Sequence, residues 1–201
     1  MLKSVQRLSD EYGFDVTYLG LSKRMAPYPV DLSKSVTPNT GLVSIMNTNN
    51  EIGYAFDTHL IGKFCTRHGL LFHTDCVQAA GCRPINVKNI GCDFATISSH
   101  KIEGPKGVGA LVVDGAVMKA KGLAALTLGG GQEGGLRSGT ESVPLIAGLR
   151  GAIEELPKNN NKIIELRDYA AKHGISFTQP HAPFNFALAD DKENQAYHPD
   201  R

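Results

Sequence analysis

No stretch of this 201-residue chain is apolar for long enough to cross a membrane, and the opening "MLKSVQRLSDEYG" lacks the apolar core of a secretion signal. Charge of one sign is missing as well: 21 Lys and Arg stand against 20 Asp and Glu, giving a net charge of +1 and a pI near 7.7. That balance excludes the basic face of a nucleic-acid binder and the polybasic patch of a membrane-surface protein. Cysteine is scarce. Its four positions, Cys65, Cys76, Cys82 and Cys92, contain no CxxC pair. Such spacing builds neither a disulfide framework nor a zinc site, and it suits a reducing, intracellular setting. The cytoplasm is the expected compartment, with an organelle as the alternative. There is no internal repeat. What is present, 41% hydrophobic and 20% charged residues, is ordinary globular composition with enough length for one good core.

The chain alternates strand-like and helix-like segments. Residues 1–11 read as the end of a helix stopped by Gly13, and "FDVTYLGL" and "GLVSIM" as strands. Asp57 is placed to cap "THLIGKFCTRHG", where Leu60, Ile61 and Phe64 recur at helical spacing before Gly69 ends the segment. "LLFHT" reads as a strand, "CVQAAG" as a short helix, and "CDFATIS" and "GVGALVV" as further strands. A helix is expected from about Pro144 to Leu156, and one more over residues 161–173. Near-continuous apolar strands belong in a sheet covered on both faces. The pattern predicts an α/β fold, a three-layer sandwich around a mostly parallel sheet with right-handed crossovers. The polar tail "ADDKENQAYHPDR" reads as disordered.

Ligands of open α/β sheets sit beyond the carboxyl ends of the strands. Three strand ends here run into dense polar groups: Asn47-Thr48-Asn49-Asn50-Glu51, then Asp75 with Gln78 a turn later, then Ser98-Ser99-His100-Lys101 before "EGPKGVG". Parallel strands would bring the three to one edge. A lysine leaving an apolar strand is a candidate Schiff-base former, because desolvation and neighbours lower the pKa of such an amine. A nearby carboxylate suits a pyridinium nitrogen, as a pyridoxal-phosphate electron sink requires, and serine, histidine and backbone N–H groups suit its phosphate. Each part alone has a plainer reading. Asp75 alone is a helix N-cap, Lys101 a solvated loop lysine, and Asn49-Asn50 a turn. The order and spacing of the set favour the cofactor.

The segments "VSIMNTNNEIG", "FHTDCVQAAG", "ISSHKIEGPKGVGAL" and "GGGQEGGLRSGTESVP" closely resemble the cysteine desulfurase and selenocysteine lyase family, pyridoxal-phosphate enzymes of the class-V aminotransferase type. The resemblance runs in order from about residue 2 to 156. It implies the large domain of fold-type I pyridoxal-phosphate enzymes, working as a homodimer. It also implies removal of sulfur from cysteine, or selenium from selenocysteine, to leave alanine, with a sulfur-acceptor protein as a further partner. By that resemblance Lys101 matches the lysine bonded to the cofactor, Asp75 the aspartate on the pyridine nitrogen, and Gln78 the glutamine near the phenolic oxygen. Ser98 and His100 match phosphate-binding positions, and Asn50 matches an asparagine contacting the cofactor and substrate region. Thr140 matches a threonine that reaches the phosphate of the neighbouring subunit's cofactor.

The resemblance further implies a partial large domain over residues 1–157, followed by a linker and the start of a second domain, or a disordered tail, over 158–201. The ring-stacking histidine and a phosphate-gripping turn of the family fall upstream of Met1. The mobile-loop cysteine and the substrate-carboxylate arginine fall outside this sequence. Cys76 reads as a core thiol. Ser99 replaces a usual glycine, Glu103 stands where an aromatic residue is common, and Gly134 replaces a usual arginine. Two readings follow: a desulfurase-like enzyme, or a non-catalytic module that pairs with a full-length desulfurase and contributes Thr140 across the interface. Another class-V activity, an aminotransferase or related lyase, fits "HTDCVQAAG" and "RSGTE" less well.

Overall fold

The helix α1 (Leu2–Tyr12) ends where Gly13 turns the chain at φ +71°, a conformation that favours glycine. Its exposed face carries two i,i+4 pairs, Arg7 with Glu11 at 2.7 Å and Gln6 donating to Asp10 at 2.8 Å. This computed structural model describes residues 2–20, 29–51, 53–121, 123–156, 169, 172 and 173. The chain divides into two compact units, residues 1–41 and 42–201.

In the first unit the strand expected at "FDVTYLGL" does not form over its described residues 14–20. Phe14 and Tyr18 are 61% and 56% exposed. A β-branched and aromatic run becomes a strand only when a neighbour takes up its backbone hydrogen bonds, and no described strand pairs with it. A second helix, α2 (Pro29–Ser35), opens on proline, whose fixed φ suits a first turn.

The second unit runs β1 (Leu42–Ser44), α3 (Thr58–Arg67), β2 (Leu71–Asp75), α4 (Val87–Ile90), β3 (Phe94–Ser98), β4 (Gly109–Val113), α5 (Gly115–Lys121) and α6 (Val143–Glu154). The four strands form one sheet in sequence order; β1, β2 and β3 are parallel and β4 is antiparallel to β3. The fold is α/β with a mostly parallel sheet, as the alternation of segments predicts. Asp57 caps α3 by accepting from the Leu60 N–H at 3.0 Å. Asn86 caps α4 by accepting from Lys88 and Asn89, and Gly91 closes it in the left-handed region. The expected helix at "CVQAAG" is instead a run of turns, with Ala79 and Ala80 N–H groups donating to the Cys76 carbonyl at 3.0 and 2.9 Å. Gly81 at φ +80° stops it before it becomes a helix. The predicted helix over residues 161–173 and the polar tail lie outside the described residues apart from positions 169, 172 and 173.

The registers Val43↔Phe72 and Thr74↔Ala95 put those side chains on one face of the sheet, together with Ile97. That face is the core. Phe72 and Thr74 are fully buried, Val43 and Ala95 nearly so, and Cys76, Ala79 and Ala95 form one cluster. Ala80, Ile102 and Leu149 of α6 form another, against which Ile97 packs. Burying a side chain the size of Phe72 contributes about 2 to 3 kcal/mol. The opposite face carries Ser44, His73, Asp75, Thr96 and Ser98, which are half-buried or exposed. Strand period two thus separates a buried, mostly apolar face from a more exposed one on which these polar residues stand beside Leu42, Leu71 and Phe94.

Candidate active site

Parallel pairing of β1, β2 and β3 brings their carboxyl ends to a single edge, and β2 lies in the middle. Beyond β1 the chain makes a tight loop rooted on the sheet. The Asn47 N–H donates to the Asp75 carbonyl at 2.8 Å, and the buried Asn47 side chain donates to Thr58 Oγ1 at 3.0 Å. Thr48 pairs with Ala55, and the Asn49 N–H donates to the Tyr54 carbonyl at 2.8 Å. This loop holds Asn50 at an exposed position, where its amide donates to Glu51 Oε1.

Asp75 closes β2. Its Oδ1 accepts from the Val77 N–H at 2.9 Å, so the carboxylate does cap the turn that follows. Among the described residues its Oδ2 has no hydrogen-bond partner, and neither does the Gln78 amide. Cys76 is fully buried, and desolvation pushes its thiol up from the ordinary value. That is the behaviour of a core thiol.

Beyond β3, residues Ser99–Lys101 form a single tight helical turn. Ser98 Oγ lies 2.8 Å from His100 Nδ1, which leaves His100 Nε2 without a partner among the described residues. Lys101 is exposed, with no ion pair or hydrogen bond from its ammonium among the described residues. Ser99 points the other way. It is fully buried, and a Cβ on Gly104 would stand 2.2 Å from its Oγ, so the serine at this position fits because Gly104 has no side chain. Glu103 sits at φ +64°, a region that costs a non-glycine residue of order 1 kcal/mol or more.

The edge therefore offers one carboxylate oxygen, one amine, one imidazole nitrogen with its serine, and one amide, all with open valences. This donor set fits pyridoxal 5'-phosphate: an anion for a ring nitrogen that carries a proton, an amine for an aldehyde carbon, and hydroxyl and imidazole for a phosphate. Thr140 stands apart. It is exposed in the glycine-rich segment, and no hydrogen bond among the described residues ties it to the strand ends. That segment has its own order: Thr127 bridges Arg137, Ser138 donates its N–H to the Thr127 carbonyl at 3.1 Å, and Gln132 Oε1 accepts from Gly139. Gly134 there is at φ +65°, a conformation that glycine adopts without strain.

A model of class-V aminotransferases matches residues 1–174. The chain belongs to the class-V aminotransferase family. Among its curated relatives, the mitochondrial cysteine desulfurase of Eremothecium gossypii is 40% identical over 183 residues, 89% of this chain and 37% of the relative. The cysteine desulfurase IscS of Ehrlichia chaffeensis is 44% identical over 172 residues, 84% of this chain and 42% of the relative. The chain thus spans about two fifths of the length of these class-V relatives. Among solved structures, SspA in complex with cysteine aligns at a TM-score of 0.75 with 35% identity, covering 86% of this chain and 49% of that one. A NifS-like protein from Rickettsia africae aligns at 0.74 with 33% identity, covering 86% and 48%. The fold of this class-V chain is therefore that of the SspA and NifS-like structures.

Sequence reasoning missed three members of the site. Ser44 Oγ lies 2.7 Å from His73 Nδ1, and Thr96 Oγ1 lies 3.4 Å from His73 Nε2. The signal was present in the period-two spacing of His73 with Asp75 and of Thr96 with Ser98. The cross-strand pairing that joins them is set by register, which spacing within one strand does not reveal.

Proposed function

We propose that this chain binds pyridoxal 5'-phosphate and is cysteine desulfurase-like, acting on cysteine or selenocysteine to leave alanine. When bound, the cofactor supplies an aldehyde for the substrate amine and an electron-poor ring that takes up charge. Lys101 holds the cofactor through its amine and moves a proton near the substrate carbon. The Asp75 Oδ2 holds the proton on the ring nitrogen, and Gln78 donates to the phenolic oxygen. Ser98 and His100 bind the phosphate, and Asn50 orients the ring and substrate from the loop after β1. Thr140 serves the phosphate of a second subunit's cofactor, in a homodimer or paired with a longer homologue. The exposed Leu126, Leu128 and Val143 flanking that segment support such pairing. An intracellular protein acting as sulfur acceptor is the natural consumer of the product.

The observation that carries the proposal is the convergence of an open carboxylate oxygen at the end of β2 with an open imidazole nitrogen and an unpaired lysine at the end of its neighbour β3. Equilibrium dialysis of the purified chain against the cofactor, followed by incubation with cysteine and a small dithiol that takes up the sulfur and releases it as sulfide, tests it. Retained cofactor that is lost in Asp75→Ala, with alanine formed from cysteine, is the expected result. Failure to retain the cofactor would overturn the proposal. Retention without alanine would favour a second reading, a cofactor-binding module that acts only beside a longer desulfurase. The exposed Leu126, Leu128 and Val143 beside the Thr140 segment are the observation that favours that reading.

A further inference from the structure

The polar face of the sheet carries a bridge that the cofactor reading does not use. His73 is the middle residue of β2, and its ring reaches Ser44 on β1 through Nδ1 at 2.7 Å and Thr96 on β3 through Nε2 at 3.4 Å. Ser44 is its cross-strand partner, and Thr96 is the cross-strand partner of Asp75. Asp75 itself stands two residues on, on the same face, one row nearer the strand ends. One imidazole thus ties together the three strands whose ends carry Asn50, Asp75 and Lys101. We propose that His73 is the positioning residue for Asp75: bridging Ser44 and Thr96 as a neutral ring, it pins the three strands together one row before the carboxylate and leaves that charge to a cationic ring nitrogen.

The bridge uses both ring nitrogens. A neutral imidazole has one donor and one acceptor, and a hydroxyl serves either, so Ser44 and Thr96 satisfy it in either tautomer. Burial pushes its pKa down, and Asp75 pulls the other way. The facing residues on the flanking strands, Ser44 on β1 and Phe94 and Thr96 on β3, do not titrate near neutrality. Asp93, before β3, accepts from the Phe72 N–H and acts on Cys65. Asp75 is therefore the one charge among the described residues that acts on His73. A protonated His73 would draw the carboxylate back and compete with the ligand for it. The neutral bridge does the opposite: it leaves the row Ser44, His73 and Phe94 uncharged beneath a single anion.

This inference rests on the cofactor reading of the same edge, and two measurements separate their failures. In the cofactor-free chain, the His73 ring is titrated by NMR in the wild type and in Asp75→Asn. The midpoint should fall in the variant, because the charge that raises it is gone; an unchanged midpoint would overturn the coupling. Then the dissociation constant of pyridoxal phosphate is compared from about pH 7.5 to about pH 5.5 in the wild type, His73→Asn and His73→Gln. The phosphate titrates in all three and cancels. Acidification should weaken the wild type roughly two- to fivefold more than either variant, the size of one partly screened charge. Identical pH profiles, in variants whose circular dichroism shows them folded, would overturn the proposal. If no chain takes up the cofactor, the reading of the edge fails, and the NMR midpoint alone decides whether His73 answers to Asp75.

Discussion

Replacing Gly62 by alanine sets two effects of opposite sign against each other. Gly62 lies inside α3, where alanine improves helix propensity by about 1 kcal/mol. A Cβ built there, however, falls 1.8 Å from the Ile90 carbonyl oxygen at the end of α4. An ordinary contact begins near 3.4 Å, so α3 and α4 must part by roughly 1.6 Å. The obstacle is backbone, which cannot rotate away as a side chain does. Overpacking of this kind costs about 1 to 3 kcal/mol, and a backbone obstacle belongs at the upper end. The net expectation is destabilisation by about 2 kcal/mol, or a fall in Tm of roughly 4 to 8 °C for a domain of this size. Thermal melts followed by circular dichroism read it directly. Gly151→Ala is the internal control: it also lies within a helix, α6, but nothing stands within 4 Å of its Cβ. That variant should gain about 0.5 to 1 kcal/mol. A Gly62→Ala chain that melts with or above the wild type would refute the close approach of α3 to α4.

Further expectations concern caps and thiols. Asp57→Ala removes the acceptor for the Leu60 N–H and should cost about 1 kcal/mol in urea unfolding, whereas Asp57→Asn should recover most of it. Cys82 is exposed, whereas Cys65 and Cys76 are buried, so brief alkylation at neutral pH should label Cys82 first, as peptide mass spectrometry would show; early labelling of Cys65 would contradict the core described. Burial, aided by the negative charge of Asp93, pushes the Cys65 thiol up from 9.0 to about 11, and burial does the same for Cys92 beside Cys76. The folded state therefore holds protons that the unfolded state releases, and stability should fall as pH rises from about 9 to about 11. In Cys65→Ala, the part of that loss due to Cys65 should disappear. For His73 the sign reverses: its pKa is pushed below the ordinary 6.5, so the unfolded chain takes up a proton first and stability should fall as pH drops below that value.

Where a segment's own chemistry decides its structure, the sequence is legible. Asp57 before a helical run, Gly13 after one and proline in the first turn of α6 all act locally, and each does what its residue type predicts. The strand ends are legible for the same reason, since apolar runs that stop at Asn47, Asp75 and Ser98 mark the edge of a sheet. What depends on a neighbour is not legible. "FDVTYLGL" has the composition of a strand, but composition does not provide a pairing partner. "CVQAAG" has helical residues, yet Gly81 in the left-handed region ends it after a turn. The link between Ser44, His73 and Thr96 depends on register across three strands, and the antiparallel direction of β4 depends on how the loop after Lys101 folds back. In the candidate site, residue identities come from single strand ends, whereas the way they are held comes from pairing between strands.

The central claim is that Lys101 receives pyridoxal phosphate with Asp75 beside its ring nitrogen. Its most direct test is to incubate the chain with the cofactor, record the visible absorption, reduce with borohydride and map the modified peptide by mass spectrometry, in parallel with Lys101→Ala. The account predicts a visible band and one reduced adduct on Lys101, both absent from the variant. An adduct spread over surface lysines, or a band that survives in Lys101→Ala, would contradict it.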